Sequence, residues 1–161
     1  MKKNITLLLL LAVSLVNAQA FKGKDDFKAQ VGASLQSKAN GIHVSGDYGI
    51  GENMSVGAGI TYILGISEGE VGDVPFKDKF DLKARFNANI GNVINIDDKL
   101  DVYPGLNIGT KNFGAHLGTR YFFTDGFGVY VEFNLPLAKY DKDANKANNQ
   151  FMTNFGVSFN L

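Results

Sequence analysis

Phe113-Gly-Ala-His-Leu-Gly-Thr-Arg-Tyr-Phe-Phe-Thr-Asp-Gly-Phe-Gly-Val-Tyr-Val-Glu132 carries two runs of period two around one turn. Before the turn, Phe113, Ala115, Leu117, Tyr121 and Phe123 alternate with Gly114, His116, Gly118 and Arg120. After it, Phe127, Val129, Val131, Phe133 and Leu135 alternate with Gly128, Tyr130, Glu132 and Asn134. Such alternation belongs to strands with one apolar face. The intervening Thr124-Asp125-Gly126 predicts a three-residue hairpin with Gly126 in the left-handed conformation.

The same period extends in both directions. It runs over residues 27–36, 42–50, 54–64, 80–90, 100–108 and 151–161, with Val31, Val44, Ile60, Leu82, Leu106 and Phe155 on the apolar faces. No helical period competes with it, so the chain reads as all-β with eight strands. Short connections are expected at Lys38–Gly41, Gly51–Asn53, Gly91–Asp98 and Thr110–Asn112, and longer charged ones at Ile66–Asp78 and Lys139–Asn149. Sequential strands joined in this way favour an antiparallel meander, and an even strand number lets it close.

The first residues stand outside this pattern. Met1-Lys2-Lys3 and the apolar run Ile5–Val16 precede Val16-Asn17-Ala18-Gln19-Ala20, which has small residues where a signal peptidase reads them. Residues 1–18 are therefore expected to be a secretory signal, and cleavage after Ala18 or after Ala20 fits equally. The run is too short for a membrane-spanning helix, which needs ~20 residues.

The whole chain has 161 residues, 16 basic and 16 acidic side chains, 19 glycines and no cysteine. That length suits one domain. Without cysteine there is no disulfide framework or thiol chemistry. The even charge balance gives no basic surface for nucleic acid.

Alternation alone does not say which face is inside, but three features do. Strands of about ten residues match the ~9–11 that cross a bilayer at a tilt. Glycine concentrates on the polar face, as in the crowded interior of a small barrel holding Arg85, Tyr103, Arg120 and Tyr130. When the strands are threaded up and down, the aromatics fall into two bands. Phe27, Tyr48, Tyr121, Phe123, Phe127 and Phe159 lie at one end, and Tyr62, Phe80, Phe113 and Phe151 at the other, as in membrane girdles. The expected fold is an eight-stranded antiparallel up-and-down transmembrane β-barrel.

Three segments carry a resemblance: Lys99-Leu-Asp-Val-Tyr-Pro-Gly-Leu106, the stretch 113–132, and the ending Phe155-Gly-Val-Ser-Phe-Asn-Leu161. From about residue 25 to 161 the chain resembles the small outer-membrane barrels of the OmpA/OmpX type, in the versions common in Bacteroidetes. The resemblance implies an outer-membrane location, lipid around the barrel, and insertion by the outer-membrane assembly machinery. Members of that type usually end on an aromatic residue, whereas this chain ends on Leu161 with Phe159 as its last aromatic.

Candidate site residues follow from register. Pairing Ile108 with Phe113 sets Asp101 opposite Arg120. Pairing Phe123 with Phe127 sets Glu132 opposite Gly118, one diagonal step from Arg120. Arg120 is thus expected between Asp101 and Glu132, with Arg85 nearby, in a buried network that plugs the lumen. His43 and Ser45 share the inward face, where a carboxylate could complete a hydrolytic triad, but the sequence fixes no nucleophile–base contact. His116, one of two histidines in a chain without cysteine, reads as a polar-core residue rather than a metal ligand. Glu68, Glu70, Asp73, Asp141 and Asp143 lack calcium-loop spacing and read as solvated loop charges. Phe76 and Tyr140, the aromatics of the two long loops, are candidate contacts for an outside partner.

The functional expectation is a non-enzymatic, monomeric outer-membrane barrel without a cofactor, structural or presenting its loops. The alternatives are a soluble, lipocalin-like extracytoplasmic carrier and a membrane-embedded lipid hydrolase. The carrier needs an apolar lumen, against which stand Asp81, Lys83, Arg85, Asp101, Arg120 and Glu132.

Overall fold

A computed structural model describes residues 19–37, 39–66, 76–140 and 148–161. Eight strands run in chain order: β1 (Phe27–Gln36), β2 (Ala39–Gly49), β3 (Met54–Ile66), β4 (Phe80–Ala88), β5 (Leu100–Gly109), β6 (Asn112–Thr124), β7 (Phe127–Lys139) and β8 (Met152–Asn160). Each pairs antiparallel with the next, and β1 pairs with β8, which closes the barrel. Two single-turn helices, α1 (Phe76–Lys79) and α2 (Gly91–Ile94), precede β4 and β5. Closure leaves no unpaired edge. A nine-residue strand tilted by ~40° still rises about 23 Å, close to the apolar band of a bilayer.

The apolar side chains point out. Val31, Val44, Ile60, Leu82, Leu106, Leu117, Phe133 and Phe155 are all exposed, while Lys28, Asp47, Asp81, Arg85, Asp101, Arg120 and Glu132 are buried in the lumen. This inverts the arrangement of a barrel in water. The rings of Tyr121, Phe123, Phe127 and Phe159 form a chain with centroids 5.6–6.4 Å apart at the end bearing the termini. At the long-loop end Phe133 stacks on Phe151 at 6.1 Å, and Tyr62 meets Phe76 at 6.0 Å.

Several boundaries differ from those expected. The β6–β7 connection is not a three-residue loop, because Thr124 pairs with Phe127 and the extra residue Phe123 bulges. Gly126 does not take a positive φ. The Thr124 hydroxyl accepts the Phe127 N–H at 3.1 Å, which tightens the turn, and the bulge supplies local twist. β2 begins at Ala39, inside the expected Lys38–Gly41 turn, because Ala39 and Gly41 face inward and continue the alternation. β3 extends to Ile66 past a bulge that places Ile63 inside against Ala39. β7 extends to Lys139, beyond Leu135.

Both mouths of the barrel are occupied. At the long-loop end, Asn148 and Asn149 turn back into the opening and are buried, although they belong to a connection expected to be solvated. The Asn112 amide donates to the Asn148 carbonyl at 2.8 Å and to the Asn149 side chain at 2.9 Å, and Gln36 accepts the Asn148 N–H at 2.9 Å. At the other end, residues ahead of Phe27 fold under the base, so the folded body begins upstream of residue 25.

Candidate functional site

The lumen is built around five charges on five strands. Asp101 of β5 lies opposite Arg120 of β6, and the Arg120 Nε donates to it at 3.0 Å. Glu132 of β7 lies opposite Gly118, but it does not reach Arg120: it accepts instead from Arg85 of β4 at 2.6 Å. The four expected residues do share one buried network, but Arg120 does not lie between Asp101 and Glu132. The missing member is Asp47 of β2, which lies 3.0 Å from Arg85 Nε and 3.5 Å from Arg120 Nη1. The result is one alternating chain: Asp101, Arg120, Asp47, Arg85, Glu132. All five are buried. Guanidinium suits this position, since its planar fork can serve two carboxylates at once.

Tyr103 fills the space beside this chain. Its ring lies 4.3 Å from the Arg120 guanidinium carbon and 5.8 Å from that of Arg85, a cation–π arrangement on both. It fits because the facing residue is Gly118: a Cβ there would overlap the Tyr103 ring. Gly105 makes the same room for the His116 imidazole. The Tyr103 hydroxyl accepts from Gln30 at 3.1 Å, and Gln30 accepts from Ser45 at 2.9 Å.

Amides and rings fill the rest. Asn89 donates to Asp101 at 2.8 Å and accepts from Ser55 at 2.9 Å. Asn134 donates to Glu132 at 2.8 Å. His116 has both ring nitrogens engaged, Nε2 with Asn87 Oδ1 at 2.7 Å and Nδ1 with Asn107 Nδ2 at 3.2 Å, a pattern that suits a neutral imidazole protonated at Nε2. No three potential metal-binding side chains gather among the described residues. The triad idea is not assembled: the His43 Nδ1 faces Thr61 at 3.0 Å, while the Ser45 hydroxyl is directed to Gln30. With its charges paired and both mouths covered, this lumen is arranged as a packed interior.

Of the loop residues, Phe76 sits on α1 and is 71% exposed, and Tyr140 just beyond β7 is 54% exposed. Glu68, Glu70, Asp73, Asp141 and Asp143 lie outside the described residues.

A model for a family of unknown function, DUF6646, matches residues 11–161. No curated protein matches the sequence. Among solved structures, the chain is similar to one described as "De novo design of transmembrane beta-barrels", with a TM-score of 0.60 and 11% identity over 87% of this chain and 98% of that one. At that identity the likeness is one of fold alone.

Proposed function

The chain belongs to DUF6646, a family of unknown function, and we propose that this member is an integral outer-membrane barrel, non-enzymatic and monomeric. Its interior is a plug, and its role is to support the envelope or to present its outer loops. The observation that carries this reading is the inverted polarity: an exposed apolar band around a buried charged lumen. Water would leave that band exposed, whereas lipid covers it. The aromatic clusters at both rims and the likeness to a designed transmembrane barrel support a membrane setting. The leader-like residues 1–18 and the resemblance to the OmpA/OmpX type support the outer membrane and insertion by its assembly machinery. Phe76 and Tyr140 are the contact residues of the loop-presenting version.

Fractionation of cells making the protein tests this reading. It is expected in the outer membrane, requiring detergent for extraction and migrating differently on gels before and after boiling. Recovery as a soluble periplasmic monomer refutes the reading. The packed lumen further predicts no stable conductance, so large steady single-channel currents in planar bilayers would show that the interior is a pore.

A further inference from the structure

The segment beneath the terminal end of the barrel is built into the fold. Ala20 and Phe21 are each only 1% exposed, and Ala20 packs on Phe122, which faces into the lumen. The Ala20 N–H donates to the Asp98 carbonyl at 2.7 Å, and the Phe21 carbonyl accepts from Asn92 at 3.0 Å, so both are tied to the β4–β5 connection. The chain then bends at Gly23, whose φ is +92°. Asp25 donates to the Gly49 carbonyl at 2.9 Å, and Gly49 donates back to the Asp26 carbonyl at 2.7 Å. The Asp26 carboxylate takes the Lys22 N–H at 2.8 Å and the buried Lys28 ammonium at 2.6 Å. Contacts with β1, β2, β6 and the β4–β5 connection thus hold residues 20–26 across the opening.

We propose that residues 20–26 are a stopper of the mature barrel, closing its terminal mouth, and that the leader is removed at the Ala18–Gln19 bond. This rests on the chain being exported, as proposed above. A cut after Ala20 would delete the methyl group packed on Phe122 and would set a new α-ammonium on Phe21, beside a side chain shut away from water. That cut exchanges a packed methyl group and the Ala20–Asp98 hydrogen bond for a charge next to a buried ring. A cut after Ala18 instead puts the ammonium on Gln19, which is exposed. The Ala20 cut has alanine one and three positions before it, the Ala18 cut Ala18 and Val16, so the assignment to Ala18 rests on what the folded barrel needs and not on the leader's own pattern.

The test is N-terminal sequencing and intact mass of the full-length product extracted from the membrane fraction. The expected first residue is Gln19. A chain beginning at Phe21 overturns the assignment but leaves export standing. An uncut chain beginning at Met1 overturns the export reading and this one with it. Ala20→Glu keeps the Ala18 cut but forces a carboxylate against Phe122, and should lower the temperature at which the compact gel form is lost by about 5–10 °C. If that variant fails to fold, Ala20→Gly should speed amide exchange at Asp25 and Gly49 severalfold. Unchanged exchange or unchanged melting shows that the segment is no stopper.

Discussion

At the centre of the lumen one carboxylate serves two guanidiniums, so Asp47 has more to lose than the acids at the ends of the chain. Asp101 has Asn89 as a second partner and Glu132 has Asn134, whereas Asp47 joins Arg85 to Arg120. Asp47→Asn should therefore cost about 3–5 kcal/mol, the range for breaking a buried ion pair, and more than Glu132→Gln. Urea unfolding of the refolded protein in vesicles measures both, and equal costs would mean that Asp47 is no bridge. The role of Asp47 was not legible in the sequence for a physical reason. Register within a hairpin sets neighbours along the sheet and so places Asp101 opposite Arg120. Asp47 and Arg85, however, stand two strands apart on either side of Gly57 and meet over it, while Asp47 meets Arg120 of β6 only across the lumen. The glycines were legible as small inward residues but not by the ring that each accommodates. Gly118→Ala should cost about 1–3 kcal/mol by overpacking against Tyr103. The same substitution should be nearly silent in a Tyr103→Leu background, and an unrelieved cost would place the strain elsewhere.

Strands were the most legible elements, because each turns apolar side chains outward and polar or small ones into the lumen, which fixes a strict period of two. Their ends were less so. Alternation of small residues such as Ala39 and Gly41 looks like a turn, and a bulge such as that at Phe123 shifts the phase by one residue. Connections were the least legible, since their contacts depend on which strand ends surround the mouth. Asn148 and Asn149 look like ordinary loop residues, yet they reach Gln36 of β1 and Asn112 of β6. Asn148 does so at φ 62°, a left-handed conformation that asparagine tolerates better than most residues. The two ends of the β7–β8 connection should therefore respond differently to substitution. Asn149→Ala removes a buried acceptor of the Asn112 amide and should cost about 1–3 kcal/mol. Tyr140→Ala touches a side chain 54% exposed and should stay within about 0.5 kcal/mol. Thermal or urea unfolding of the two variants decides. A large loss for Tyr140→Ala would make it a packing residue and remove it from the candidate partner contacts.

For the molecule as a whole, the question is which solvent the outer surface was built for. The charges inside say little by themselves, because buried ion pairs contribute weakly to net stability, though they penalise any register that separates them. The outer surface says more. Val31 stands at the middle of β1, is 41% exposed, and pairs with Val44 on one side and Val157 on the other, so it belongs to the centre of the apolar band. In lipid an outward arginine at the midplane costs about 2–4 kcal/mol, and the penalty fades to about 0–1 near the rims. In water an exposed valine-to-arginine change stays within about 0.5 kcal/mol wherever it lies. Val31→Arg and Phe159→Arg together therefore read out the solvent, since Phe159 sits in the aromatic cluster at the rim. Folding equilibria in phospholipid vesicles should show a loss of about 2–4 kcal/mol for Val31→Arg. The depth dependence should appear once the rim variant's lost ring contact with Phe127 is corrected by comparison with Phe159→Ala. If Val31→Arg folds as well as the parent chain, the apolar band does not face lipid, and the membrane reading falls with it.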